Sequence, residues 1–109
     1  MSMKIIWESA AKLEMRKRSV YCKTNIGIFA YREFRNCIKR QIELLALFPQ
    51  SGQRELLLEG FSTEYRSMVV KRYHLKIVYC IDESERAVHI SAIWDTRRAP
   101  QNLREGFQV

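Results

Sequence analysis

The apolar residues of this 109-residue chain change their spacing at Pro49. Before it, Tyr31, Phe34, Ile38, Ile42, Leu45 and Phe48 recur at intervals of three and four, the period of one helix face. After it, Tyr73, Leu75, Ile77, Tyr79 and Ile81 occupy alternate positions, the period of one face of a strand. Proline cannot continue a helix, so the switch is enforced at that point. A single change of period divides the chain into a helical part and a following β part, which is the signature of an α+β domain.

The segments follow from this division. Lys4 to Trp7 reads as a short strand, and Ser9 as the N-cap of a helix over Ala10 to Lys23, with Ala10, Leu13, Val20 and Tyr21 sharing a face. Asn25-Ile26-Gly27 breaks the pattern, and a second helix covers Ile28 to Phe48, so the two form an antiparallel hairpin. Gln50 to Gln53 is the loop leaving it. Strands are expected over Arg54 to Leu58, Tyr65 to Lys71, Tyr73 to Ile81 and Ala87 to Trp94, the last two joined by the polar turn Asp82-Glu83-Ser84-Glu85. Strands this close in sequence pair antiparallel, because a parallel return needs a crossover of about a dozen residues or more. The expected architecture is a two-helix hairpin on a small antiparallel sheet, in the order β-α-α-β-β-β, as one domain over residues 1–109.

Alternation also assigns faces. The odd positions from Tyr73 to Ile81 should pack on the helices, leaving His74, Lys76, Val78 and Cys80 on the other face as a cationic patch beside an apolar one, open to a partner. In the last strand, Trp94 shares a side with Val88, Ile90 and Ala92, while His89 shares the opposite side with Ala87, Ser91 and Ile93.

Nineteen Lys and Arg against twelve Asp and Glu give a net charge of +7, which favours an anionic partner, either nucleic acid or an acidic protein. No apolar run approaches the roughly 20 residues that span a bilayer, and the start of the chain lacks a secretory signal, so a cytoplasmic location without membrane attachment is expected. Cys22, Cys37 and Cys80 are too widely spaced for a zinc site and too few for a disulfide framework. No metal or cofactor is expected: His74 and His89 are the only histidines, and no carboxylate stands at ligand spacing from them.

Basic residues concentrate in the β part: Arg66, Lys71, Arg72, Lys76, Arg86, Arg97, Arg98 and Arg104. Arginine forks and lysine point charges together suit phosphate, which makes Lys71, Arg72, Lys76, Arg97 and Arg98 candidates for binding a target or nucleic acid. His74, beside Lys76, is a candidate proton donor for phosphodiester cleavage. Nucleotide-binding glycine loops and serine-hydrolase motifs are absent. A metal-free ribonuclease needs only groups that orient the RNA 2′-hydroxyl, stabilise charge and move protons.

The order and spacing of "IIWESAAKLEMRKRSVY", "FRNCIKRQIELLALFPQSGQ", "YRSMVVKRYHLKIVYCID" and "VHISAIWDTRRAP" resemble the RelE/ParE superfamily of type II toxin–antitoxin toxins across nearly the whole chain, nearer ParE than RelE. The resemblance implies an antiparallel sheet packed on a helical hairpin. It also implies growth inhibition relieved by a cognate antitoxin, whose C-terminal segment wraps the toxin and whose complex binds operator DNA. ParE-like members poison DNA gyrase, whereas RelE-like members cut messenger RNA on the ribosome. For this chain the resemblance implies a gyrase poison, with a ribosome-dependent endoribonuclease as the alternative and a non-toxic module binding antitoxin and DNA as a second. In the endoribonuclease case Lys76 matches a catalytic basic position of the "YRLVY"-type strand, Arg97 matches the arginine of the closing motif, and His74 or Tyr73 assists proton transfer. Trp94 and Arg98 stand where ParE-like closing motifs carry His and Asp. The tail offers Phe107 where RelE-like members have a tyrosine in a C-terminal helix.

Overall fold

The computed structural model describes residues 2–108. Strand β1 (Lys4–Trp7) leads into helix α1 (Ser9–Asn25), which turns at Ile26 and Gly27 into α2 (Ile28–Leu47). The turn works because Gly27 takes φ +134°, a backbone conformation that side chains disfavour, while the amides of Ile26 and Gly27 both donate to the Cys22 carbonyl. The β part comprises β2 (Gln53–Arg54), β3 (Tyr65–Val70), β4 (Leu75–Asp82) and β5 (Ala87–Asp95), and α3 (Pro100–Phe107) closes the chain.

The sheet runs β1-β5-β4-β3-β2. The consecutive strands β2 to β5 pair antiparallel, as their short connections require. β1 instead lies parallel to β5: the helical hairpin carries the chain from β1 at one edge to β2 at the other, so the last strand returns beside the first and the sheet is mixed.

The helices cover one face of the sheet. Phe34, Ile38, Ile42 and Leu45 of α2 are buried there with Leu75, Ile77 and Tyr79 of β4 and with Val88 and Ile90 of β5. Each fully buried side chain of this size stabilises the fold by about 1.5–3 kcal/mol. Tyr73 and Ile81 pack at the margins of the same cluster, so the odd positions of β4 face the helices as expected. Phe48, the last member of the expected α2 stripe, is exposed beyond the end of the helix.

Four expectations change. First, the inner side of α1 is Ala11, Met15, Ser19 and Cys22, while Ala10, Leu13, Val20 and Tyr21 point outward. Small residues win the inner face because they let the helix lie close to its neighbours, and Ser19 satisfies its hydroxyl on the Met15 carbonyl. Nor does Ser9 cap α1: it is the first helical residue, and the preceding Glu8 ties the helix start to β5 by accepting from Ser91 Oγ at 2.7 Å.

Second, Arg54 to Leu58 is not one strand. Only Gln53 and Arg54 pair with β3; Glu55 then turns inward and Leu56–Leu58 form a 3₁₀ turn that buries Leu58. Third, Lys71–Tyr73 is also a 3₁₀ turn, and His74 takes the left-handed conformation at φ 53°, so β4 begins at Leu75.

Fourth, β5 carries a bulge. Val78 pairs with Ala92 but Tyr79 pairs with Ile90, so Ser91 is the extra residue and the facing of β5 inverts across it. Val88 and Ile90 lie on the helix side with Ile93, while Ala92 and Trp94 lie on the other, where they join Leu58, Val78 and Leu103 in a second core. The face expected to await a partner is thus filled in this region by the chain itself, through the Leu56–Leu58 turn and α3.

Candidate functional site

The two residues matched to RelE-like catalysis are far apart in environment. Lys76 belongs to the side of the sheet that carries Val78 and Trp94, and its ammonium is held by Glu55, whose second carboxylate oxygen accepts from Ser67 Oγ at 3.0 Å. Their side chains are only 14% and 7% exposed, so this cation is enclosed and neutralised.

Arg97 lies on the helix side of the sheet. Its Nε and Nη2 grip the two oxygens of Asp95 at 3.0 and 2.9 Å, and its backbone N–H donates to Asp95 Oδ1 at 2.9 Å. This grip, reinforced by Arg18 at 3.9 Å, holds the Asp95 carboxyl far below its ordinary value of 3.8. The sign of the linkage follows: a depressed carboxyl stabilises the fold above its unfolded pKa and loses that contribution as pH falls toward the folded value. Asp95→Asn should therefore lower the melting temperature at neutral pH, with the gap to the parent protein closing as the pH is taken below about 4. A gap that stays constant over a pH series of thermal melts would exclude this role.

The other candidates separate in the same way. Arg72 reaches Glu33 on α2 and stacks over Tyr73, its guanidinium 5.2 Å from the ring centre. Its neighbour Lys71 is exposed in the same turn. His74 borders a cavity with Arg72 and Arg97. Arg98 instead stacks on Trp94, 4.3 Å from its ring. Lys76 and Arg97 thus sit on opposite sides of the sheet and do not share a site. The β4–β5 turn does bring ligand atoms of Asp82, Glu85 and His89 within 4.8 Å of one another, a proximity that sequence spacing did not reveal. Asp82 Oδ1 is already occupied by Ser84 Oγ and the Glu85 amide.

A surface with uncommitted charge lies along the helical hairpin. A groove of about 890 Å³ runs between α1 and α2, with Trp7, Met15, Ile38 and Ile42 among its apolar lining. Lys12, Arg16, Lys23, Arg35 and Lys39 border it, and none forms an ion pair among the described residues. Lys23 and Arg35 both lie over the Tyr31 ring, at 5.5 and 5.7 Å, which fixes them at the rim. Helix α1 also carries a basic run in the sequence, Lys12, Arg16, Lys17 and Arg18. Its alignment with Arg35 and Lys39 of α2 across an apolar floor required the packing of the hairpin.

A helical hairpin over one face of a sheet whose first and last strands are parallel neighbours, with a basic hairpin groove, defines a small α+β fold. The chromosomal ParDE toxin–antitoxin system of P. aeruginosa contains a similar chain: TM-score 0.69 at 14% identity, over 88% of this chain and 98% of that one. The isolated E. coli RelE toxin aligns with TM-score 0.59 at 12% identity, over 97% and 96%. A mutant of E. coli RelE in the free state aligns with TM-score 0.63 at 12% identity, over 100% and 99%. At these identities the likeness is one of fold. No curated protein matches the sequence significantly.

Residues 5–100 match the family described as the ParE toxin of the type II toxin–antitoxin system parDE. The chain belongs to this family, and it is the toxin component of a type II toxin–antitoxin pair with a cognate antitoxin as its partner. No helix among the described residues is long and apolar enough to cross a membrane.

Proposed function

We propose that this toxin arrests growth by binding DNA gyrase rather than by cutting messenger RNA, and that the groove between α1 and α2 receives the antitoxin. The observation that carries the first part is the separation of Lys76 and Arg97. Phosphodiester cleavage needs cations and a proton-transfer group converging on one phosphate. Here Lys76 is closed off by Glu55, Arg97 is held by Asp95 on the other side of the sheet, and the C-terminal helix ends in Phe107 rather than tyrosine. Docking to a protein target makes no such demand. The family match supports the same choice.

Two assays decide between the targets. With purified toxin, supercoiled plasmid and gyrase should yield cleaved plasmid, and a translation extract programmed with a defined message should show no new cuts. Ribosome-dependent cuts would establish the endoribonuclease reading instead. Normal growth on induction of this chain alone would leave only a regulatory role in binding antitoxin and operator DNA.

For the antitoxin, the groove selects a helix with an apolar stripe and acidic flanks: the stripe covers Trp7, Met15, Ile38 and Ile42, and the acids meet the unpaired cations. Charge reversal at Arg16 and Lys39 together should slow association and weaken antitoxin binding by at least about tenfold, with the loss shrinking at high salt. Binding by the doubly reversed protein at parent affinity would remove the groove from the interface.

A further inference from the structure

A second cavity, sharing no lining residue with the groove, opens where the ends of the helical hairpin meet the start of β4. It is an open cleft of about 740 Å³ and combines two kinds of wall. One is aromatic: Tyr21, Phe34 and Tyr73, with Phe34 and Tyr73 packed edge to face at 4.9 Å. The other is cationic: Lys17, Arg18, Arg72 and Arg97 line it against the single carboxylate of Glu33, an excess of positive charge that persists when Asp95, the partner of Arg97, is counted.

The state of the arginines distinguishes this cavity from an ordinary charged surface. Asp95 and Glu33 orient Arg97 and Arg72 without consuming all of their donors, since Arg97 uses only Nε and Nη2 on Asp95. Arg18 is less well served. It reaches Asp95 only at 3.9 Å, and its Nε is buried with no hydrogen-bond partner. The side chain as a whole is 24% exposed and lines the cavity, so its remaining guanidinium donors are the ones an anion there would meet. The adjacent His74 is held in the left-handed conformation, a strain of the kind that persists where surrounding structure imposes it.

We propose that this cavity binds a mononucleotide, its phosphate held by Arg18, Arg72 and Arg97 and its base stacked against Tyr21 and Tyr73. Arginine forks match phosphate oxygens in pairs, and Arg18, Arg72 and Arg97 all line this one cavity. The exposed Tyr21 ring and the partly buried Tyr73 ring offer the flat apolar surface on which any base stacks. A site with apolar walls and a few convergent polar groups, of this volume, is what a small ligand of that class requires.

The test uses the full chain without an affinity tag and three probes: AMP, adenosine and inorganic phosphate, titrated by calorimetry. AMP should bind saturably and at least about tenfold more tightly than either fragment, since each fragment meets only one wall. Arg18→Gln should weaken AMP at least about tenfold, and so should Tyr21→Ala, whose exposed ring is safe to remove for folding; circular dichroism melts check both variants. Absence of saturable AMP binding to the parent protein would overturn the proposal. So would equal affinity for phosphate or adenosine, or unchanged affinity in folded variants. None of these outcomes depends on whether gyrase or the ribosome is the target.

Discussion

Lys76→Met should destabilise the fold by roughly 3–5 kcal/mol, read as a fall in the urea midpoint with little change in slope. The cause is the partner left behind. Glu55 is 8% exposed and would keep only the Ser67 hydroxyl, an uncompensated carboxylate beneath the Leu56–Leu58 turn. Because the lysine is itself 14% exposed, some water reaches the pair, and the lower end of the range is expected. Replacing both members, Glu55→Leu with Lys76→Met, should recover most of the loss, since exchanging a buried ion pair for apolar groups is often neutral or favourable. The double variant also bears on function. Under the gyrase reading it remains toxic when induced; a stable double variant that lets cells grow would return Lys76 to the active machinery.

Gly52→Ala should cost about 3 kcal/mol through a different mechanism. A Cβ at Gly52 would lie 2.5 Å from the Tyr79 hydroxyl and 2.7 Å from the Ser67 carbonyl, too close for a carbon that makes no hydrogen bond, so something must move. Tyr79 is fully buried, and its hydroxyl accepts from the Gly52 amide at 3.0 Å and donates to the Pro49 carbonyl at 2.7 Å. Moving the ring breaks both bonds, so overpacking at about 1–3 kcal/mol adds to unsatisfied polar groups at about 1–3 kcal/mol. Tyr79→Phe, which removes the hydroxyl alone, should show only the second part in the same denaturation experiment. Equal losses for the two variants would mean that the close approach at Gly52 contributes nothing. This ring is also the joint between the helical and β parts, because Pro49 and Gly52 are the residues through which the chain passes from one to the other.

Most of the elements were legible. The change of period at Pro49 placed α2 and β4 correctly to within two residues at each end, because the buried faces of these elements repeat without interruption. The Asp82–Glu85 turn likewise marked the β4–β5 hairpin. Where the reading failed, local pattern competed with packing. Leu13, Val20 and Tyr21 of α1 are large and apolar, yet the inner face went to Ala11, Met15, Ser19 and Cys22, with the small Ala11 and Ser19 the most buried, since helix depth is set by how closely backbones approach. Arg54 to Leu58 looks like a strand by composition, but Leu58 is buried by a turn that the ladder cannot make.

The candidate residues show the same division. That Lys76 and Arg97 exist, and that the protein is basic, could be read directly. That Lys76 is already paired could not, because Glu55 is twenty-one residues from Lys76 in sequence and reaches it only after β2 has turned back along β3. The Ser91 bulge is subtler still. One extra residue in β5 reverses the facing of Trp94 relative to Val88 and Ile90, and strict alternation contains no signal for it.

The sequence by itself determined the class of fold, the order of its main elements and the positive charge that calls for an acidic partner, since these depend on periodicity and composition, which are local and additive. Tertiary structure alone decided which cations remain free and where they gather. Glu55, twenty-one residues away in sequence, withdrew Lys76 into the protein's own network, whereas Asp95 orients Arg97 from two residues away, and the packing of α1 on α2 aligned Lys12, Arg16, Lys23, Arg35 and Lys39 along one groove. The physical reason is that an enclosed opposite charge neutralises a cation, as Glu55 does Lys76, and nearness in a folded chain is not nearness in sequence.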